Sequence, residues 1–140
     1  MAYGVLDDLI GYALRRAQIR IYQDFLDALG PWGITPPRFS AMTLIFHNGG
    51  LKLTELARAM GIARSGAVEV VNSLEKLGYV RRAASTSDKR AHALALTHEG
   101  EKALGAITDV TRKHDARISS TLSEHEQSEL LRLLDKLGRS

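Results

Sequence analysis

Apolar residues recur every three or four positions through the first thirty residues of the chain. Leu6, Ile10, Ala13, Ala17, Ile21 and Phe25 predict one long helix from about Val5 to Leu29. Leu9, Tyr12, Ile19 and Leu26 widen its apolar surface beyond a single stripe. A helix apolar over more than half its circumference must be covered on two sides. Gly30-Pro31-Trp32-Gly33 ends it, and Thr35 stands as the N-cap of a second helix with Pro36 in its first turn. That helix carries Phe39, Met42, Ile45 and Phe46 and stops at Asn48-Gly49-Gly50. A short amphipathic helix follows from Leu53 and ends at Gly61. Another runs from Ala63 to Leu77 and ends at Gly78, with Ala67, Val70, Val71, Leu74 and Leu77 facing inward.

The pattern then changes. Tyr79-Val80-Arg81-Arg82 and His92-Ala93-Leu94-Ala95-Leu96 read as two short strands flanking a polar loop of Ser85, Thr86, Ser87, Asp88, Lys89 and Arg90. Leu51-Lys52-Leu53 is placed as a short third strand beside them. Thr97 caps a fifth helix to about Ser119, and its sparse apolar positions (Leu104, Ile107, Val110, Ile118) predict a helix facing solvent along much of its length. Ser123 caps the last helix, with Glu126 three residues on as a capping box and Leu130, Leu133, Leu134 and Leu137 as its apolar face. The fold class is therefore mostly α with a small β-hairpin wing: a winged helix-turn-helix between N- and C-terminal helices. The exposed apolar faces of those outer helices predict a partner subunit, with N- and C-terminal dimerisation helices.

Two helices joined by a tight turn, followed by a hairpin with a charged tip, present one helix to a DNA groove and one loop to the backbone. Charge agrees with that reading. The chain carries a net +3, and the segment from Lys52 to Thr97 alone holds eight basic and four acidic residues. A polyanion partner predicts this concentration, whereas a solvated globule has no reason for it. At 140 residues and 44% hydrophobic, the chain is one domain's worth of soluble protein. Its zero cysteines exclude a disulfide framework, a cysteine zinc site and a thiol redox sensor. The N-terminus lacks a signal-peptide pattern and no apolar run approaches the ~18 residues of a membrane span, so a cytoplasmic protein with no membrane partner is expected.

The run from Leu53 to Gly100 resembles the MarR (multiple antibiotic resistance regulator) family of winged-helix transcription factors. The resemblance is carried by Leu56-Ala57, by Leu74-Glu75-Lys76-Leu77-Gly78-Tyr79-Val80, by Asp88-Lys89-Arg90 and by Leu94-Ala95-Leu96-Thr97-His98-Glu99-Gly100. Ile34-Thr35-Pro36-Pro37-Arg38-Phe39 also matches, and the flanking helices follow the family's order. The resemblance implies a single MarR-type domain over 1–140, with a DNA-binding part at 36–97 and dimerisation parts at 1–30 and 98–140. It implies an obligate homodimer reading an inverted-repeat operator in double-stranded DNA.

In the family, an aspartate two positions before an arginine holds that arginine for the minor groove, and Asp88 and Arg90 stand at those places. A narrow minor groove focuses negative potential, and a charge-paired arginine is pre-ordered for it. The helix from Ala63 departs from the family's usual serine and threonine pattern. Its outward set is Arg64, Ser65, Gly66, Val68, Glu69, Asn72, Ser73 and Lys76. Arg64 suits guanine or phosphate, Val68 a thymine methyl and Glu69 a cytosine amino group. The expected DNA contacts are Arg64, Ser65, Gly66, Val68, Glu69, Asn72, Ser73, Arg81, Asp88, Lys89 and Arg90.

Effectors in this family, commonly phenolic or aromatic carboxylate compounds, bind between the dimer helices and the winged helix. Tyr12, Arg16, Ile19, Phe39, Met42, Phe46 and His47 stand on the corresponding surfaces, with Arg15, Arg20 and Arg38 available to neutralise an acid. Tyr12, Arg16, Ile19, Arg38, Phe39, Met42 and His47 are the expected effector contacts. Gly11 to Gln18 is similar to members that respond to aromatic acids or their coenzyme A thioesters. The predicted function is a homodimeric sequence-specific regulator, a repressor released by an aromatic carboxylate, phenolic or aromatic acyl thioester effector. The alternative is a winged-helix DNA-binding or protein-interaction module with no effector. Ser73-Leu74-Glu75-Lys76 matches a serine-x-x-lysine enzyme motif, but it is solitary and lies on the predicted groove-reading helix. The five histidines lack ligand spacing. No enzyme, metal or cofactor is expected.

Overall fold

In the computed structural model, which describes residues 1–84 and 92–139, six helices and one hairpin follow each other in the expected order. They are α1 (Ile10–Leu29), α2 (Pro36–His47), α3 (Leu53–Met60), α4 (Arg64–Lys76), β1 (Val80–Ala84), β2 (His92–Leu96), α5 (His98–Ile118) and α6 (Glu124–Gly138). The strands pair antiparallel, Val80 opposite Leu96 and Arg82 opposite Leu94. No helix among the described residues is long and apolar enough to cross a membrane.

One core joins the elements. Phe25 and Leu29 from α1 meet Met42 and Ile45 from α2, Leu56 from α3, Val71 and Leu74 from α4, Leu94 from β2 and Ile107 from α5. Burial of a large aliphatic or aromatic side chain contributes roughly 1.5–3 kcal/mol, so these few residues dominate the fold's stability.

The structure departs from the sequence pattern in four places. The first helix does not start at Val5: Gly4–Asp8 is a separate 3-10 turn, and Leu9 is extended before α1 begins. Leu51–Leu53 is not a third strand. It makes one isolated bridge, Lys52 to Ala93, with Leu94 N–H donating to Leu51 O at 2.7 Å, because Leu53 already opens α3. Thr35 occupies the N-cap of α2 without a side-chain bond. Pro37, the second helical residue, lacks one of the two N–H groups such a cap would satisfy.

The fourth departure matters most. α5 exposes much of its length, as its sparse apolar positions predict, but one face of it is central: Gly100, Ala103, Leu104, Ile107 and His114 are buried. Small residues let it approach closely, so it needs few large apolar ones. Gly100 shows how close. A Cβ there would lie 2.0 Å from the Tyr79 carbonyl oxygen. That oxygen already accepts from Thr97 N–H at 3.0 Å. The Thr97 hydroxyl donates to Gly78 O at 2.6 Å and accepts from Gly100 N–H at 2.9 Å, stitching the end of α4 to the start of α5.

A polar clamp joins α1 to the other end of α5. Asp24 takes bonds from Arg117 Nη2 at 2.8 Å and Nε at 3.3 Å, and its Oδ1 lies 2.7 Å from Nδ1 of the buried His114. The Arg117 guanidinium, then His114, hold the Asp24 carboxyl down at about 2. Phe25 meets the His114 ring edge-on at 5.3 Å.

The outer apolar faces remain uncovered. No residue of α6 is buried, and Leu130, Leu131, Leu133, Leu134 and Leu137 are all exposed. With Ile10, Ala13, Leu14 and Ala17 of α1, the α6 residues Leu130, Leu133, Leu134 and Leu137 line an apolar hollow of about 770 Å³. The predicted capping box is present: Glu126 N–H donates to Ser123 Oγ at 3.1 Å, and Ser123 N–H to Glu126 Oε1 at 2.9 Å.

Candidate nucleic-acid interface and ligand cleft

The turn between α3 and α4 is closed by its backbone. Gly61 takes a left-handed conformation at φ 69°, and Ile62 N–H reaches back to Ala57 O at 3.0 Å. This brings α4 out at an angle to α3. Ala67, Val71 and Leu74 seat α4 on the core. Val70 is half-buried, and Leu77, expected inside, is 39% exposed beside Gly33. Arg64, Ser65, Glu69, Asn72 and Lys76 are exposed on the opposite face, while Gly66, Val68 and Ser73 are half-buried. Ala63, the N-cap residue, offers no side-chain bond to the first turn of α4. Those N–H groups are left for water or an acceptor outside the chain.

Two of the expected groove contacts are engaged within the protein. The Ser73 hydroxyl donates to Glu69 O at 2.9 Å. Asn72 Oδ1 accepts from Arg82 Nη2 at 2.9 Å, while Arg82 Nε donates to Glu75 Oε1 at 3.0 Å. Arg82 therefore ties the hairpin to α4, a role the sequence reading missed. Strand alternation was the available signal, since Arg82 shares a face with the buried Val80 and Arg81 takes the other. Arg81 is exposed. Asp88, Lys89 and Arg90 lie outside the described residues.

A cleft of about 960 Å³ opens between α2 and α5, with Gln127 of α6 at its end. Phe39, Thr43, Phe46 and His47 form the α2 wall. Leu104, Thr108 and Arg112 stand opposite, with Glu101, Asp109 and Asp115 around them. A second, apolar groove of about 560 Å³ lies on the other side of α2, against Ala59, Met60 and Ile62, and Phe39 and Thr43 line both spaces.

The expected effector contacts divide between places. Phe39 and His47 line the cleft. Met42 is fully buried and belongs to the core. Arg38 Nη1 donates to Gly33 O at 2.6 Å, bracing the turn before α2. Tyr12 and Arg16 form a separate cluster on α1, the Arg16 guanidinium lying 5.4 Å from the Tyr3 ring centre and 6.0 Å from that of Tyr12. Ile19 is exposed on the same helix. The α5 wall was not foreseen, because its polar residues carry the pattern of a solvated face.

Comparison with known proteins agrees with this geometry. The family model described as the MarR family matches residues 34–92. A protein of Thauera aromatica assigned to regulation of the hcr operon is 34% identical over 140 residues, covering 99% of this chain and 84% of that protein. The transcriptional repressor CouR bound to a 23-mer DNA duplex superposes with a TM-score of 0.94 at 36% identity, covering 99% of each chain. CouR bound to p-coumaroyl-CoA gives 0.91 at 33% identity, covering 100% of this chain and 99% of that one. The Rv2887 protein of Mycobacterium tuberculosis, in complex with p-aminosalicylic acid, gives 0.71 at 32% identity, covering 94% and 99%. The chain belongs to the MarR family of winged-helix transcriptional regulators.

Proposed function

We propose that this protein is a homodimeric, sequence-specific repressor in the cytoplasm that leaves an inverted-repeat operator when an aromatic acyl ligand fills the α2–α5 cleft. It carries out no chemical step. Residues 36–97 meet the DNA, and residues 1–30 and 98–140 make the dimer. Arg64, Ser65, Gly66, Val68 and Glu69 lie toward the major groove. Arg81, Lys89 and Arg90 neutralise the backbone and minor groove, with Asp88 ordering Arg90. Asn72 and Ser73 border the surface and act chiefly through their internal bonds. The uncovered apolar faces of α1 and α6 support the dimer, since exposed contiguous patches of this kind mark association sites.

The observation that carries the effector reading is the cleft itself. At about 960 Å³ it lies within the range of small-molecule sites, and Phe39, Phe46 and Leu104 offer apolar contact to a ring. Its charge refines the ligand. Three carboxylates, from Glu101, Asp109 and Asp115, surround the single guanidinium of Arg112. That balance disfavours a bare carboxylate inside the cleft and suits the uncharged acyl end of a thioester, with the phosphates of its carrier lying outside the cleft. Arg16 and Arg38, expected to meet an acid, do not line the cleft. The ligands named for CouR and Rv2887 span both chemistries.

An effector acts only through a difference in affinity between two conformations, and a coupling of roughly 1–3 kcal/mol is enough for release. The test is fluorescence anisotropy with labelled DNA from the region flanking the protein's own gene. p-Coumaroyl-CoA, p-coumarate and salicylate are titrated into the complex. Release by the thioester at lower concentration than by the free acids is expected. Binding without release by any of them would replace this reading with an effector-free DNA-binding module. Absence of binding to any flanking fragment would refute the regulator itself. Sedimentation should report a dimer, and a chain ending at Ser123 should aggregate.

A further inference from the structure

The α2–α5 cleft and the smaller apolar groove share a wall made by Phe39 and Thr43, and Phe39 is its larger side chain. Phe39 is half-buried between them. We infer that Phe39 is a positioning residue that passes ligand binding in the cleft to the start of α4, with the groove as the space it moves into. This rests on the cleft being the effector site.

The helix that carries Phe39 cannot easily yield as a whole. Ala41 and Met42 are fully buried and Ile45 nearly so, which anchors the α2 backbone in the core. Thr43, the other shared residue, is held by its own hydroxyl, which donates to Phe39 O at 2.9 Å. A ligand pressing on the α2 wall therefore turns the Phe39 ring. Close-packed interiors leave side chains little room, but here about 560 Å³ of apolar space lies behind the ring. No ionisable side chain lines that groove, so entry of an aromatic ring there desolvates no charge.

The far wall of the groove is the helix-turn-helix turn. Met60 ends α3, and Ile62 stands two residues before the first residue of α4. The turn is stiff, with Gly61 left-handed and Ile62 N–H bonded to Ala57 O. Ile62 also lies over the first turn of α4: a Cβ at Gly66 would sit 3.6 Å from Ile62 Cδ1. Pressure on Met60 and Ile62 thus arrives at Arg64–Gly66, the end of α4 turned toward DNA. Coupling of this kind travels through packed side chains with two discrete arrangements, and Phe39 has rotamers to supply them.

Hydrogen exchange of the full-length protein, with and without p-coumaroyl-CoA, tests the assignment in the parent, Phe39→Leu and Ala59→Leu. Leucine at 39 shortens the lever. Leucine at the exposed position 59 narrows the groove from its other wall, at a helix site where the two residues differ little in propensity. In the parent, the ligand should slow exchange at residues 104–112 and change it at 60–66. Ala59→Leu, which does not line the cleft, should keep the first response and lose most of the second; Phe39→Leu, read at ligand concentrations that saturate it, should lose most of the second. The ligand's effect on DNA affinity should fall from roughly 5–150-fold in the parent to under about twofold in the variants. Equal responses at 60–66 in parent and variants would overturn the role of Phe39. If Phe39→Leu fails to fold, Ala59→Leu decides alone by the same readout. A parent with no change at 104–112 would overturn the cleft as effector site, and this inference with it.

Discussion

Replacing Gly100 by alanine should destabilise the protein, although alanine is the better helix former. In an open helix position the exchange gains up to about 1 kcal/mol. At Gly100 the new Cβ would stand 2.0 Å from the Tyr79 carbonyl oxygen, roughly 1.3 Å inside an ordinary carbon–oxygen contact. The obstacle is backbone at the root of the hairpin, fixed by its bond from Thr97 N–H, and no side-chain rotation relieves it. Relief requires the first turn of α5 to shift, which breaks the Thr97 cap at about 0.5–2 kcal/mol and adds about 1–3 kcal/mol of overpacking. Net of the propensity gain, the loss is about 0.5–4 kcal/mol with a middle near 2, and the thermal midpoint falls by roughly 7 °C at fixed protomer concentration. Gly105 on the same helix is the control. A Cβ there meets nothing within 4 Å, so Gly105→Ala should hold or raise the midpoint. Differential scanning calorimetry of both variants checks the pair. A Gly100→Ala midpoint at or above the parent, or equal losses in both, would refute the close-approach argument.

Asp24 is ionised in the folded chain down to about 2, below its unfolded value near 3.9, because Arg117 and then His114 bond it. Its stabilising effect is complete above about pH 4 and is lost as pH falls through 2. Asp24→Asn should flatten the acid limb of stability between those values, as read by urea titrations at each pH. Ser123→Ala removes one half of the capping box on α6 and should cost about 0.5–2 kcal/mol in chemical denaturation. Arg90→Ala should weaken operator binding by roughly 1–3 kcal/mol per subunit, and Asp88→Ala by a part of that, in a gel shift at fixed salt. Affinity should also fall steeply with salt, as expected for a dimer using Arg64, Arg81, Lys89 and Arg90.

Local patterns were read well from residues. Every helix of eight residues or more and both hairpin strands were legible, because each depends on a repeat of three to four positions, an alternation of two, or a stop such as Gly61 or Gly78. The Ser123–Glu126 cap was legible for the same reason, since both partners lie within one turn. Misreadings came where neighbours distant in sequence decide. α5 exposes much of its length as its few apolar residues predict, yet Gly100 and Ala103 bury one face of it by allowing close approach. Asn72 looked free for DNA, and Arg82 from the next strand holds it.

The sequence by itself determined the order of elements, the ends of the helices, the charge gathered on the helix-turn-helix and hairpin segment, and the family. All but the family follow from spacing, backbone preference and composition, which act over short stretches of chain; the family rests on the resemblance of the motifs between Leu53 and Gly100. The tertiary structure alone decided that Met42 is core while its neighbours Phe39 and Thr43 face two spaces. It alone joined Asp24 to His114 and Arg117 across ninety residues. It also put three carboxylates around Arg112 opposite an aromatic wall. A cleft belongs to two helices at once, and its shape and charge exist only after α5 has packed against α2.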